Sequence, residues 1–244
     1  MFQIKPLGDC GLHMQFGHTI SEETNAIIRA MSALLETEKI SGVVEWVSTY
    51  TSLSLYYDPY TLTYSELCNI MHQLCQRLAH AEQPPALIID IPTCYGGDMG
   101  PDLPAVAQHN SLDEQTVIDI HAGTLYFVYM IGFTPGFPYL GGMSRDIATP
   151  RLANPRTDVP AGSVGIAGEQ TGIYSLASPG GWRIVGRTPL KLFDAGRTPP
   201  MLLKAGNYLR FIPISTSEFA DIAHAVSEGS YRPRIEAWHH SRGG

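Results

Sequence analysis

The sequence predicts a small α+β unit followed by a larger, mostly β unit with the texture of a barrel or sandwich. Three observations carry this. Amphipathic helices alternate with strands through the first third of the chain. Two prolines, Pro84 and Pro85, then stop the second helix and stiffen the chain. Beyond Thr124, short strand-like runs alternate with Gly/Pro loops. The boundary is therefore placed after residue 83, with units over 1–83 and 84–232. The polar end at 233–244 is read as a flexible tail.

Each element has its own local reason. Residues 2–17 read as two strands around the turn Leu7-Gly8-Asp9-Cys10-Gly11, with Leu12, Met14 and Phe16 alternating. Ser21 followed by Glu22 and Glu23 starts a helix, because acids suit the positive end of the helix dipole. Ile27, Ile28, Met31, Leu34 and Leu35 fall on one face of it, and Gly42 closes the unit. Residues 43–57 are β-branched and aromatic, two strands with a bend near 48–51. Thr63 and Glu66 have the spacing of a capping box, opening a second amphipathic helix through Leu67, Ile70, Met71, Leu74, Cys75 and Leu78. The order is β-β-α-β-β-α, helices on one face of a sheet. In the second unit, 87–91 reads as a strand and 103–109 as a short helix. Ser111 and Glu114 read as another capping box. Strands are expected at 124–131, 163–167, 182–187, 190–193 and 208–212, and a last helix over 217–228.

Composition limits the function. The net charge of -7 disfavours nucleic acid, whose phosphates need a basic patch. No apolar run reaches the ~18–20 residues of a membrane span. The start MFQIKPLGDCG lacks the basic and apolar regions of a secretory signal, so a cytoplasmic location is expected. Cys10, Cys68, Cys75 and Cys94 form no C-x-x-C pair, and no metal site is expected. Cys68 and Cys75 lie about 10 Å apart along a helix, too far for a disulfide. All four are read as buried, reduced thiols.

The chemistry concentrates between residues 129 and 189. YMIGFTPGFPYLGGMSR (129–145) sets Phe133, Phe137 and Tyr139 among glycines and two prolines, Pro135 and Pro138. Aromatics in such a loop either fold back on the core or form a pocket or interface. Residues 161–189 carry few charges but many small polar groups, suited to holding an anion or an amide. There is no G-x-x-x-x-G-K-[ST], H-E-x-x-H or G-x-S-x-G.

GFTPGFPYLGG, followed by PRLANPRTDVPAGSVGIAGEQTGIYSLASPGGWRIVGRTP, closely resembles the allophanate hydrolase subunit 1 family. That family includes sporulation-kinase inhibitors and the B subunit of 5-oxoprolinase. PLGDCGLHMQFG, YTSLSLYYDP and IPTCYGGDMGPDL resemble it in the same order, so the match runs from residue 3 to about 213. One departure is visible: where the family commonly reads Gly-Ile-Tyr-Pro, Ser175 follows Tyr174 here. The resemblance implies an N-terminal α+β domain and a C-terminal cyclophilin-like β-barrel. It also implies 5-oxoprolinase subunits C and A as partners, the first paired with this chain, in a complex that cleaves 5-oxoproline to L-glutamate with ATP. ATP is expected at the level of the complex, and no biotin attachment site is evident in this chain. Inhibition of a sensor histidine kinase by binding, and a carboxyltransferase role in a urea or allophanate pathway, are the alternatives.

A site for such a reaction needs donors for phosphate and for the substrate carboxylate. Arg151, Arg156, Arg183 and Arg187 are the fixed cations near the motifs, and Arg156 and Arg187 are preferred because Gly/Pro segments constrain them. Surface ion pairs are the competing explanation. Gln170, Thr171 and Tyr174 are candidates for binding an amide or carboxylate, or for holding loop structure. His121 falls on an apolar helical face, as a core histidine or as the catalytic proton carrier. Phe133, Pro135, Phe137 and Tyr139 are assigned to a pocket or partner loop, and Trp182 to the core.

Overall fold

A computed structural model of the chain describes residues 2–78 and 86–238. The expected linker at 83–85 and the end at 239–244 lie outside the described residues. The chain divides into two compact units, residues 1–84 and 85–244.

Hydrogen-bonded caps and alternating strands build the first unit. Its elements are β1 (Gln3–Pro6), β2 (Gly11–Gln15), α1 (Glu22–Glu38), β3 (Val43–Ser48), β4 (Ser52–Tyr57) and α2 (Tyr64–Arg77). The strands form an antiparallel sheet in the order β1-β2-β4-β3. Ser21 caps α1 by accepting from the Thr24 N–H. α1 ends at Lys39, in the left-handed conformation with φ 46°, and not at Gly42 as expected. The Lys39 N–H still reaches the Leu35 carbonyl, so the helix closes three residues earlier. Gly42, at φ 90°, serves the turn into β3, where an added Cβ would meet Leu62 at 2.8 Å. The Thr63–Glu66 capping box has both of its bonds. Leu12, Met14, Leu53 and Leu55 of the sheet pack with Ile28, Met31, Leu67 and Met71 of the helices to form this unit's core.

Of the four thiols, only Cys94 is buried; Cys10 is exposed and Cys68 and Cys75 are half-buried. The expectation of four buried thiols is corrected: Cys10 lies in the exposed turn between β1 and β2, and Cys68 and Cys75 are only partly covered. All four are free, and burial pushes the Cys75 thiol up to about 11.

The second unit opens on β5 (Leu87–Tyr95), α3 (Leu103–His109) and α4 (Glu114–Ala122). Ser111 does not cap α4: its φ is 57°, and Asp113 takes that place by accepting from the Thr116 N–H at 2.8 Å. The Leu112 N–H bonds back to Ala107, so the turn ending α3 occupies the positions a Ser111 cap would need. Then come β6 (Leu125–Ile131), β7 (Pro138–Gly141), β8 (Arg156–Val159), β9 (Ser163–Ala167), β10 (Gln170–Ile173), β11 (Ser178–Gly180), β12 (Arg183–Arg187), β13 (Tyr208–Pro213), α5 (Thr216–Ser227) and β14 (Ile235–Ala237). Residues 190–193 form no strand; Phe193 makes an isolated bridge to Met201. The stretch 233–238 is not a loose tail. β14 pairs antiparallel with β5, and the Trp238 N–H bonds to the Ala86 carbonyl.

One sheet dominates this unit, in the order β10-β9-β12-β5-β13-β6-β7 with β14 beside β5. β13 runs parallel to β5, and the other pairs in the sheet are antiparallel. Its end strands β7 and β10 come together, so the sheet curls into a nearly closed barrel. Ile91, Tyr126, Val128, Ile166, Ile173 and Phe211 fill the interior, and α3 and α4 add Val106 and Val117. No helix of the described residues is long and apolar enough to cross a membrane.

Candidate functional site

Where β7 and β10 meet, the barrel opens onto a pocket of about 240 Å³. The β6–β7 hairpin tip brings Phe133 and Phe137, β7 brings Tyr139, and β10 brings Gln170 with Tyr174 just beyond it. Pro179 to Trp182, from β11 to just before β12, form another wall, and Arg151 stands at the rim. Glycines make this close packing possible. A Cβ on Gly180 would overlap the Tyr174 hydroxyl, and one on Gly172 would press on Trp182 and Phe137 at 3.0 and 3.2 Å.

Phe137 is the hub. Its ring is edge-on to Tyr139 at 5.4 Å, Trp182 at 5.8 Å, Phe133 at 6.0 Å and Tyr174 at 6.2 Å. Burial raises the Tyr174 pKa, opposed by a hydrogen bond from the Trp182 backbone and by Arg151 and Arg156. At neutral pH it is a neutral phenol. The Thr134 and Ser175 hydroxyls are 3.2 Å apart, so the serine that departs from the family pattern ties the hairpin tip to the end of β10.

The sequence-predicted residues divide. Phe133, Phe137, Tyr139, Gln170 and Tyr174 line the pocket; Pro135, Thr171, Arg156, Arg187 and His121 do not. Arg156 is committed to Asp102 at 2.8 Å, and Asp102 also accepts from the Ile184 N–H at 2.7 Å. This ties the start of α3 to β8 and β12. The Arg187 Nε donates to the Ala161 carbonyl at 3.0 Å.

His121 and Thr171 lie inside the barrel in a chain of hydrogen bonds whose directions can be derived. The Thr171 hydroxyl donates to the Gly165 carbonyl at 3.0 Å, so it accepts from the His121 Nε2–H at 2.8 Å. The His121 Nδ1 then accepts from the Tyr95 hydroxyl at 2.7 Å. His121 is 0% exposed, and burial pushes its pKa down to about 3. It is a neutral core histidine with both ring nitrogens hydrogen-bonded, and it does not line the pocket. Thr171 likewise spends its hydroxyl in the interior.

Sequence reasoning undervalued two residues. Trp182, assigned to the core, packs on Val159, Tyr174 and Ile184 and also faces the pocket. The Arg151 Cζ lies over that ring, 5.9 Å from its centroid. A signal was present: both sit in the motif stretch, residues 150–189, that also supplies Gln170 and Tyr174. A larger groove of about 640 Å³ lies between residues 190–202 and 226–235, but its arginines are used for structure. Arg197 donates to the carbonyls of Lys191, Leu192, Pro199 and Pro200, and Arg232 to those of Gly229 and Tyr231.

Fold and site thus define a class: a small α+β unit joined to a nearly closed barrel that carries an aromatic pocket at its seam. A model of the carboxyltransferase domain, subdomain C and D, matches residues 2–203, and the chain belongs to that family. Among its relatives, the 5-oxoprolinase B subunit of Bacillus subtilis (strain 168) is 43% identical over 239 residues, covering 94% of this chain and 98% of that one. The 5-oxoprolinase B subunit of Escherichia coli O157:H7 is 51% identical over 135 residues, 55% of this chain and 62% of its own. Among solved structures, the conserved uncharacterized protein PH0987 from Pyrococcus horikoshii is 47% identical. It aligns with 89% of this chain and all of its own, at a TM-score of 0.54.

Proposed function

We propose that the chain is the B subunit of an ATP-dependent 5-oxoprolinase, cleaving 5-oxoproline to L-glutamate in the cytoplasm together with subunits C and A. Identity of 43% along 98% of a relative of that name carries the proposal. In this reading the second unit is a cyclophilin-like barrel whose seam pocket receives the lactam. The Gln170 amide and the Tyr174 hydroxyl are the neutral groups that meet the ring amide. Arg156, Arg187, Thr171 and His121 act behind them by fixing β8, β12, β10 and α4. The pocket, at about 240 Å³, is small for a nucleotide, which supports a reading in which ATP binds outside it.

The test is ATP-dependent glutamate release from 5-oxoproline by this chain alone and with each of the co-expressed partners. Turnover is expected only from the full set. Turnover by the isolated chain would overturn the shared-site reading, and none from the full set would overturn the activity. The family's description favours a second reading, a carboxyltransferase component acting on urea or a related amide. Biotin-dependent carboxylation of urea by the same assembly, without glutamate release, would establish it instead.

A further inference from the structure

We infer that Arg151 is the carboxylate anchor of the seam pocket, which makes the pocket selective for a small ring bearing one carboxylate. The inference rests on the 5-oxoprolinase reading only for which ring that is.

The observation is a difference among four arginines. Arg156 is paired with Asp102, the Arg183 Nε donates to the Pro150 carbonyl, and the Arg187 Nε donates to the Ala161 carbonyl. Arg151 has no hydrogen-bond or carboxylate partner among the described residues, and it alone of the four lines the pocket. Its position is nonetheless set. Trp182 is held between Phe137 and the cluster of Val159, Tyr174 and Ile184, and the guanidinium lies over its ring. A guanidinium attracted to an aromatic face keeps the N–H groups along its edge for another acceptor. Two such N–H groups match the two oxygens of a carboxylate.

The other walls narrow the ligand further. Among the described residues no Asp or Glu lines the pocket, so none of them repels an anion there. Arg151 is the sole cation among the described residues of the lining, and a phosphate, with more charge and more oxygens, would be poorly neutralised. The volume, about 240 Å³, equals that of roughly eight waters at ~30 Å³ each. Edge-to-face aromatics suit a flat apolar ring, and Gln170 supplies amide complementarity. A cyclic amide with one carboxylate meets all of these conditions, and 5-oxoproline is such a molecule.

Ligand-observed NMR titrations of the full chain test this with three probes. These are 5-oxoproline, 2-pyrrolidinone (the same lactam without the carboxylate) and inorganic phosphate. The wild type is expected to bind 5-oxoproline at least about tenfold more tightly than 2-pyrrolidinone. Arg151→Gln should erase that preference at an unchanged melting temperature, because the side chain is exposed. Arg151→Lys should restore only part of it, because an ammonium offers no planar fork. The inference is overturned by absence of saturable binding, by a preference that survives in Arg151→Gln, or by phosphate competing as well as 5-oxoproline. Arg151-dependent binding without turnover by the assembled complex would remove the 5-oxoprolinase reading and keep the site. Turnover with an unchanged KM in Arg151→Gln would do the reverse.

Discussion

His121 shows how far a residue's role depends on what surrounds it. Both ring nitrogens are used, by Tyr95 and Thr171, and its pKa lies near 3 against an ordinary 6.5. The unfolded chain therefore takes up a proton between those values that the folded chain refuses. Stability falls as pH drops from about 6.5 toward 3, at up to about 1.4 kcal/mol per pH unit for this one group. Urea unfolding at pH 7.5, 6.0 and 4.5 should show His121→Gln less stable than wild type at pH 7.5. Its dependence on pH in that window should be shallower by about one proton; parallel slopes would show that His121 does not set it. Arg156 makes a second case. It is half-buried against the nearly buried Asp102, so Arg156→Ala should cost about 1.5–3 kcal/mol of stability in denaturant titrations. An unchanged midpoint with lost activity would instead favour the substrate role expected from the sequence. The partner of Arg156 is 54 residues away, which is why the sequence made it look available. Arg151 looked no different from it until that pairing was visible.

At the scale of elements, legibility followed the strength of the local signal. The Thr63–Glu66 box, Ser21 and the Pro-flanked helix at 103–109 declare themselves within four residues, and the structure contains all three. The short strands β7, β8, β10 and β11 were invisible as such. Each has only three or four residues with Gly or Pro nearby, and distant partners define it as a strand. The hairpin tip shows the same division within one motif. Phe137 is 6% exposed and belongs to the core of the pocket, whereas Phe133 is 79% exposed. Phe133 also holds φ at 66°, a conformation that a bulky side chain adopts at a cost of about 1–2 kcal/mol. Phe137→Asp should then unfold or severely destabilise the second unit. Phe133→Gly should leave thermal stability equal or higher while weakening co-purification with the partner subunits. If Phe133→Gly co-purifies as well as wild type, the exposed ring is not part of a contact.

For the whole molecule, two separate cores make a separable pair of folding units. The first is built on Leu12, Met14, Leu53 and Leu55, the second on Ile91, Tyr126, Val128 and Phe211. Fragments ending at residue 78 and starting at residue 86 should each unfold cooperatively, by circular dichroism and by tryptophan fluorescence from Trp46 and Trp182. A fragment that stays unstructured alone would show that its core needs the other. The α+β half was the more legible of the two because its contacts are close in sequence and its periods are regular. The barrel half declared its texture but neither its strand order nor its closure, which depend on pairings across most of the unit.

β5 adds a consequence for synthesis. It is the first strand of its sheet to leave the ribosome, yet its parallel neighbour β13 begins more than a hundred residues after it ends, and β14 follows later still. At translation rates of about 5–20 residues per second, the edge that faces β13 waits unpaired for roughly 5–20 s. The first unit is already complete by then and can fold while the barrel is still being made. Through that interval the segment Leu87–Ile91, apolar but for Asp90, is an open template for pairing with other chains. Nascent chains stalled before residue 208 should therefore be the ones that recruit chaperones, and those stalled at the end of the first unit should not.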